Sequence, residues 1–151
     1  MNAGDFVDDF QLPDETGEPR TLTGLLEQGP VVLFFYPAAM TPGCTAEACH
    51  FRDLVAELAA VGAHPVGISA DPVAKQKEFA DKHSFGYPLL SDPSGDVRAR
   101  FGVKRGIALM PTRRQTFVIG TDRRVLAVIK SEIRMNAHAD KALEVLRKRA
   151  S

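Results

Sequence analysis

Tryptophan is absent from these 151 residues, and cysteine occurs only twice. Two thiols are too few for a fold stapled by disulfides. In a chain without an export signal they point to a reducing compartment, where thiols more often do chemistry than hold structure. No such signal is read at the N-terminus, because "MNAGDFVDDFQL" has no basic region followed by an apolar stretch. Long hydrophobic runs are also missing. The longest, Val31 to Tyr36, falls far short of the ~20 residues that span a membrane. Neither sign of charge prevails, with 19 Lys and Arg against 19 Asp and Glu. That balance argues against a nucleic-acid or membrane-surface role, since each calls for a positive face. The expectation is a cytoplasmic protein with no nucleic-acid or membrane partner.

What is present fits an ordinary globular protein, with 44% hydrophobic and 25% charged residues. The length suits one domain with a real core, taken as residues 1–151, without repeat, low-complexity tract or linker. "DFVDDFQLP" is weakly strand-like, "DETGEP" is turn chemistry, and "TLTGLLEQG" supplies a short helical turn. "VVLFFY" is apolar at every position, as a strand buried on both faces should be. A helix then begins around Thr41 to Gly43 and runs to about Val61, where Gly62 stops it. "HPVGISA" is a second strand. Asp71 as N-cap and Pro72 at the first position open a helix through about His83. "YPLLSD" reads as a short strand, "GDVRARFG" as a short helix, and "KRGIALMP" at 104–111 as a loop. "RRQTFVIG" and "RVLAVIKS" form an antiparallel hairpin around "TDR". "NAHADKALEVLRKRAS" is an amphipathic helix with Ala139, Leu143 and Leu146 inward. The order predicts an α/β fold, a mixed sheet covered on both faces by helices, with an N-terminal extension.

Both thiols fall on the first long helix. Phe51, Leu54, Val55 and Leu58 recur at i, i+3, i+4 and i+7 and mark its core-facing stripe. At ~100° per residue, Cys44 lies within ~20° of that stripe and Cys49 ~160° from Phe51, on the outward face. A thiol in a helix's first turn faces unpaired backbone N–H groups and the positive end of the dipole, which favour a thiolate. The site also lies at the carboxyl end of a central strand, where open α/β sheets place their ligands. The plain alternative is a small buried apolar residue. In an intact helix, residues five apart have Cα atoms roughly 8–9 Å apart, whereas a disulfide needs less than about 7 Å. Cys44 and Cys49 can therefore join only if the first helical turn unwinds. Glu47 sits ~40° from the stripe centre, either as a first-turn acid favoured by the dipole or as a partner for an arginine. Arg113 and Arg114 are the candidates, and strand alternation leaves open which of them faces the thiol.

"YPAAMTPGCTAEAC" resembles the active-site segment of peroxiredoxins, P-x-x-x-T/S-x-x-C, read as Pro37, Thr41 and Cys44. The second cysteine five residues on is similar to the peroxiredoxin Q subgroup, also called bacterioferritin comigratory protein. "GISAD", "LLSDPSGDVRARFGV" and "RRQTFVIG" extend the likeness over roughly residues 3–148. The resemblance implies a thioredoxin-like fold and a thiol peroxidase acting on hydrogen peroxide or alkyl hydroperoxides. It implies that Cys44 is the peroxidatic cysteine, oxidised to a sulfenic acid, and that Cys49 resolves it as an intramolecular disulfide. Thr41 would hydrogen-bond thiolate and peroxide, Arg114 would stabilise the thiolate and the leaving oxygen, and Pro37 would shield the sulfur. A dithiol donor, thioredoxin or a glutaredoxin-like protein, would complete the cycle. No metal or organic cofactor is implied, and a monomer or weak homodimer is expected.

Three rival classes use the same residues. A Cys–His hydrolase needs a base, but His50 is ~120° off the Cys44 direction, and His64, His83 and His138 are expected at the surface or solvated. A metal module from Cys44, Cys49 and His50 lacks the tighter pairs and fourth ligand that zinc favours. A peroxide sensor or thiol–disulfide oxidoreductase of the same fold is the strongest alternative, although a thioredoxin places its cysteines as C-x-x-C.

Overall fold

The computed structural model describes residues 1–106 and 111–150, the last of these by its backbone alone. The loop expected at 104–111 therefore lies partly outside the described residues. Strands β1 (Gln11–Pro13) and β2 (Pro19–Thr21) make a small antiparallel hairpin. Its turn is tied by the Asp14 carboxylate, which accepts from the Thr16 and Glu18 N–H groups. Helix α1 (Leu22–Leu26) follows, capped by the Thr21 hydroxyl.

The main sheet takes β3 (Val31–Phe35) as its middle strand. Helices α2 (Pro42–Asp53) and α3 (Val55–Ala60) lead to β4 (His64–Ser69), parallel to β3. Helix α4 (Val73–His83) leads to β5 (Leu89–Ser91), parallel to β4. Helix α5 (Asp96–Arg100) precedes the antiparallel pair β6 (Gln115–Ile119) and β7 (Val125–Lys130), with β6 against the other side of β3. Helix α6 (Met135–Ala150) ends the chain. The strand order β5-β4-β3-β6-β7 is the mixed sheet that the sequence pattern predicts, and helices cover both faces.

The unbroken apolar run of β3 has a direct consequence. Val32, Phe34 and Tyr36 enter one core with Cys44, Ala48 and Phe51 of α2, Phe79 of α4 and Ala139, Leu143 and Leu146 of α6. Val31, Leu33 and Phe35 enter the other, with Val7, Phe10, the leucines of α1 and Val97 and Phe101 near α5. Burying each such side chain contributes about 1.5–3 kcal/mol, so β3 is pinned from both sides. Phe34 stacks on Phe51 at 4.2 Å between ring centroids, which fixes α2 over the sheet.

Two local expectations need correction. The single helix from Thr41 to Val61 is broken at Leu54, whose φ and ψ of −103° and 7° are not helical. The Leu54 N–H is shared between the His50 and Phe51 carbonyls, a tightened turn of the kind common at helix ends. Leu58 stays fully buried, while Leu54 and Val55 pack only at the core's edge. Asp71 does not cap α4; Pro72 occupies that position without a side-chain bond. The Asp71 carboxylate is engaged elsewhere, accepting from the Ala39 N–H and the Ser69 hydroxyl, each at 2.7 Å.

Candidate active site

The segment between β3 and α2 is held before the helix begins. Pro37 is buried, and Asp71 catches Ala39 from the end of β4. Met40 then takes a left-handed φ of 71°, uncommon for a side chain larger than Asn. This bend directs Thr41 into the N-cap position in extended backbone, with Pro42 at the first helical position. The Thr41 hydroxyl does not cap the helix. It donates to the Ala38 carbonyl at 2.7 Å, which leaves its lone pairs as what it can offer a substrate. The Thr45 N–H bonds back to the Thr41 carbonyl, and Cys44 lies just before it, among the leading N–H groups that a helix leaves unpaired. Cys44 itself is 1% exposed.

The arginine arrives from the neighbouring strand. Gln115 pairs with Phe35, so Arg114 sits one position further, level with the exit of the chain from β3. Alternation puts Arg114, Thr116 and Val118 on the face covered by α2 and α6. Arg113 is exposed and uses its backbone N–H on Val103. Arg114 donates through Nη1 to Glu47 Oε1 at 2.7 Å and through Nη2 to Cys44 Sγ at 3.3 Å. Glu47 thus partners an arginine, the second of the two roles its spacing allows. Gly43 makes room, because a Cβ there would stand 3.3 Å from Arg114 Nη2.

This cluster is electrostatically tense. Burial pushes the Glu47 carboxyl up to about 8, and the Arg114 guanidinium only partly offsets that. Burial works against the Arg114 charge too, but its interactions with Glu47 and Cys44 outweigh it and hold the guanidinium above its usual range. Glu47 Oε2 and Arg114 Nε are buried without a hydrogen-bond partner.

His138, expected at the surface, is fully buried behind Glu47. Its Nε2 is 2.8 Å from the Ser131 carbonyl and its Nδ1 is 2.8 Å from the Thr116 hydroxyl. A carbonyl can only accept, so Nε2 carries the proton and Nδ1 accepts from Thr116. Burial lowers the imidazole's proton affinity, which suits this neutral form. Nε2 also lies 3.6 Å from Glu47 Oε2. The inward stripe read from Ala139, Leu143 and Leu146 does not include His138, which lies ~100° from Ala139 on the helix.

Cys49 differs from its expected outward pose. It is half-buried, packed at the edge of the core, with Sγ 3.8 Å from His83 Nδ1. His83, the last residue of α4, stands on this side. Both cysteines are free thiols. Pro37, Thr41, Cys44 and Arg114 thus gather at the start of α2, whereas Cys49 lies on another side of that helix. His50 pairs with Asp140 at 2.7 Å and is no base for Cys44. Among the described residues, no three His, Cys, Asp or Glu side chains converge as metal ligands would.

Comparison with known proteins gives a consistent result. The family model described as AhpC/TSA matches residues 3–128. A Mycobacterium tuberculosis protein named as a peroxiredoxin is 66% identical over 149 residues, covering 97% of each chain. Peroxiredoxin Q of Arabidopsis thaliana chloroplasts is 38% identical over 147 residues, covering 97% of this chain and 68% of that one. Among solved structures, peroxidoxin BcpB from Mycobacterium tuberculosis superposes with a TM-score of 0.95 at 66% identity, covering 98% and 97% of the two chains. A mutant of PrxQ from Xylella fastidiosa gives 0.91 at 27% identity, covering 100% and 98%.

Proposed function

The chain belongs to the AhpC/TSA family as a thiol peroxidase of the peroxiredoxin Q kind, and from that premise we propose that Cys44 is the sulfur that meets the peroxide. The observation that carries this reading is the Arg114 guanidinium, anchored by Glu47 and aimed at Cys44 Sγ from 3.3 Å. A fixed positive group at that distance interacts favourably with a thiolate and with the alkoxide or hydroxide that departs. The thiolate attacks one peroxide oxygen, the O–O bond breaks, and Cys44 becomes a sulfenic acid while water or an alcohol leaves. Thr41 receives the peroxide's O–H on its free lone pairs, since its own proton is committed to Ala38. Pro37 closes the buried side against water, which would otherwise screen these charges.

Cys49 resolves the sulfenic acid as an intramolecular disulfide after the first turn of α2 unwinds, and a thioredoxin or glutaredoxin-like dithiol regenerates both thiols. The enzyme works as one domain in the cytoplasm on hydrogen peroxide or alkyl hydroperoxides, as a monomer or weak homodimer. No described helix is long and apolar enough to cross a membrane. The deciding experiment adds equimolar hydrogen peroxide to reduced protein and counts thiols. Loss of two thiols, abolished by Cys44→Ser, is the expected outcome; unchanged thiols in the wild type would overturn the reading.

A further inference from the structure

The two halves of α2 are secured very unequally. Around Cys49, the Tyr87 hydroxyl donates to the Ala48 carbonyl at 2.6 Å, Phe51 stacks on Phe34, and Arg52 Nη1 donates to the His83 carbonyl at 2.8 Å. Ahead of Glu47, the first turn contains Pro42, which has no N–H, and Gly43, which has no side chain to pack. When the helix end lets go, Cys44 is the sulfur that travels, and Cys49 stays docked against α4. Its neighbour there is His83, with Nδ1 3.8 Å from Sγ. The imidazole is clamped between two rings, stacked on Phe85 at 5.4 Å and edge-on to Phe79 at 5.6 Å. The groups facing it are Cys49 and Arg52 from α2 and Lys82 from its own helix. Burial, and then the Lys82 and Arg52 charges, push its proton affinity below the usual range. At neutral pH it is an uncharged ring with a free lone pair beside a thiol.

We propose that His83 is the general base of the resolving half-reaction, taking the Cys49 thiol proton on Nδ1 as that sulfur attacks the Cys44 sulfenic acid. The S–S bond forms as the S–O bond of Cys44 breaks. The departing hydroxide takes a proton from solvent to leave as water, and His83 returns its proton to solvent. One thiol-level sulfur, Cys49, and one sulfenic sulfur already oxidised by two electrons, Cys44, become a disulfide, so no further oxidant is needed. This rests on the reading of Cys49 as the resolving thiol.

The test is rapid-quench mass spectrometry of reduced protein given one equivalent of hydrogen peroxide, following sulfenic acid and then disulfide, in wild type, His83→Asn and His83→Ala. Circular dichroism checks that each variant is folded. Sulfenic acid should form at the wild-type rate in all three, while disulfide formation slows about 10²-fold at pH 7 in the variants. The wild-type resolution rate should be level across neutral pH, where His83 is uncharged. The variants should gain about tenfold per pH unit, as an unassisted thiol does, and added imidazole should restore His83→Ala. Resolution at the wild-type rate in both variants overturns the proposal. So does a slowed rate that keeps the wild-type pH profile and ignores imidazole, since that marks a packing role. If the wild type forms sulfenic acid but no disulfide, the resolving role of Cys49 fails first and the inference falls with it.

Discussion

Arg98 and Arg114 each bury a guanidinium against a carboxylate, with side chains 4% and 7% exposed, yet the two pairs are finished differently. Around Arg98 the hydrogen bonds close. Asp92 accepts from the Val97 and Arg98 backbone N–H groups and from Arg98 Nε. Arg98 also donates to the Asp92 and Pro111 carbonyls and to the Thr112 hydroxyl. Around Arg114 they do not: Glu47 Oε2 and Arg114 Nε have no partner, and one guanidinium nitrogen is directed at a sulfur. A saturated pair stitches the turn after β5 to the segment entering β6. In the proposed mechanism an unsaturated pair keeps capacity in reserve for charge that appears only during the reaction.

Removing each arginine should separate the two roles, and this is the largest expected effect. Arg114→Met should cut the rate of peroxide reduction by about 10²–10³ while lowering stability little. The carboxyl it abandons is already pushed up to about 8 and can take a proton instead of remaining a bare buried charge. Arg98→Met should do the reverse. It strands Asp92 and should cost about 3–5 kcal/mol, with the folded fraction still consuming peroxide at the wild-type rate. Stopped-flow peroxide kinetics and urea unfolding distinguish the outcomes. A large stability loss in Arg114→Met, or a rate loss in folded Arg98→Met, breaks the distinction.

Much of the fold and of the Arg114 side of this contrast is legible in residue order, the Arg98–Asp92 pair is not, and the unread part has identifiable causes. The all-apolar "VVLFFY" marked the central strand because burial on both faces leaves no alternation. The 3.6-residue period placed Cys44 and Glu47 on the inward side of α2. The pattern could not decide between Arg113 and Arg114, because alternation fixes relative faces and not which face meets α2; the pairing of Gln115 with Phe35 decides that. Asp71 followed by Pro72 has the form of a helix start, but donors at Ala39 and Ser69 compete for the carboxylate, and such competitors are visible only in three dimensions. Cys49 looked outward because helix geometry describes one helix alone, and α4 covers that side. His138 lies off the stripe of Ala139, Leu143 and Leu146, and its burial depends on Thr116 and Ser131, partners from other segments that pattern alone does not reveal.

Glu47→Gln sharpens the comparison through pH. The carboxyl holds its proton up to about 8 in the folded protein, against 4.5 for an ordinary Glu. Between those values the folded state binds more protons than the unfolded, so unfolding free energy falls as pH rises. The contribution is whole below about 4.5 and gone above about 8. Glu47→Gln has no such proton, and its Tm should lack that part of the decline. Below about 8 the carboxyl is itself neutral, so the amide should leave peroxide reduction at pH 7 nearly unchanged, and a slower variant should appear only above that pH. Parallel Tm-against-pH curves for the two proteins would show that Glu47 does not titrate in this window.

The smallest effect concerns the space that the unsaturated pair needs. Gly43 is in helical backbone, so alanine fits its conformation and should raise helix stability by up to about 1 kcal/mol. The added Cβ would press on Arg114 Nη2 at 3.3 Å and sit 3.5 Å from Met135 Sδ. To relieve it the guanidinium must shift by a few tenths of an ångström, away from its contact with Cys44 Sγ. Where a displacement of about 1 Å costs roughly 10²-fold, this one should cost about threefold to tenfold in peroxide reduction. The stiffer first turn should also slow disulfide formation, because unwinding must now overcome a better helix. A variant with higher Tm and a slower reaction therefore ties the rate to the position of the guanidinium and not to overall stability. A Gly43→Ala protein as fast as wild type in both steps would mean that Arg114 tolerates displacement, and the reserve attributed to its unsaturated pair would lose its geometric basis.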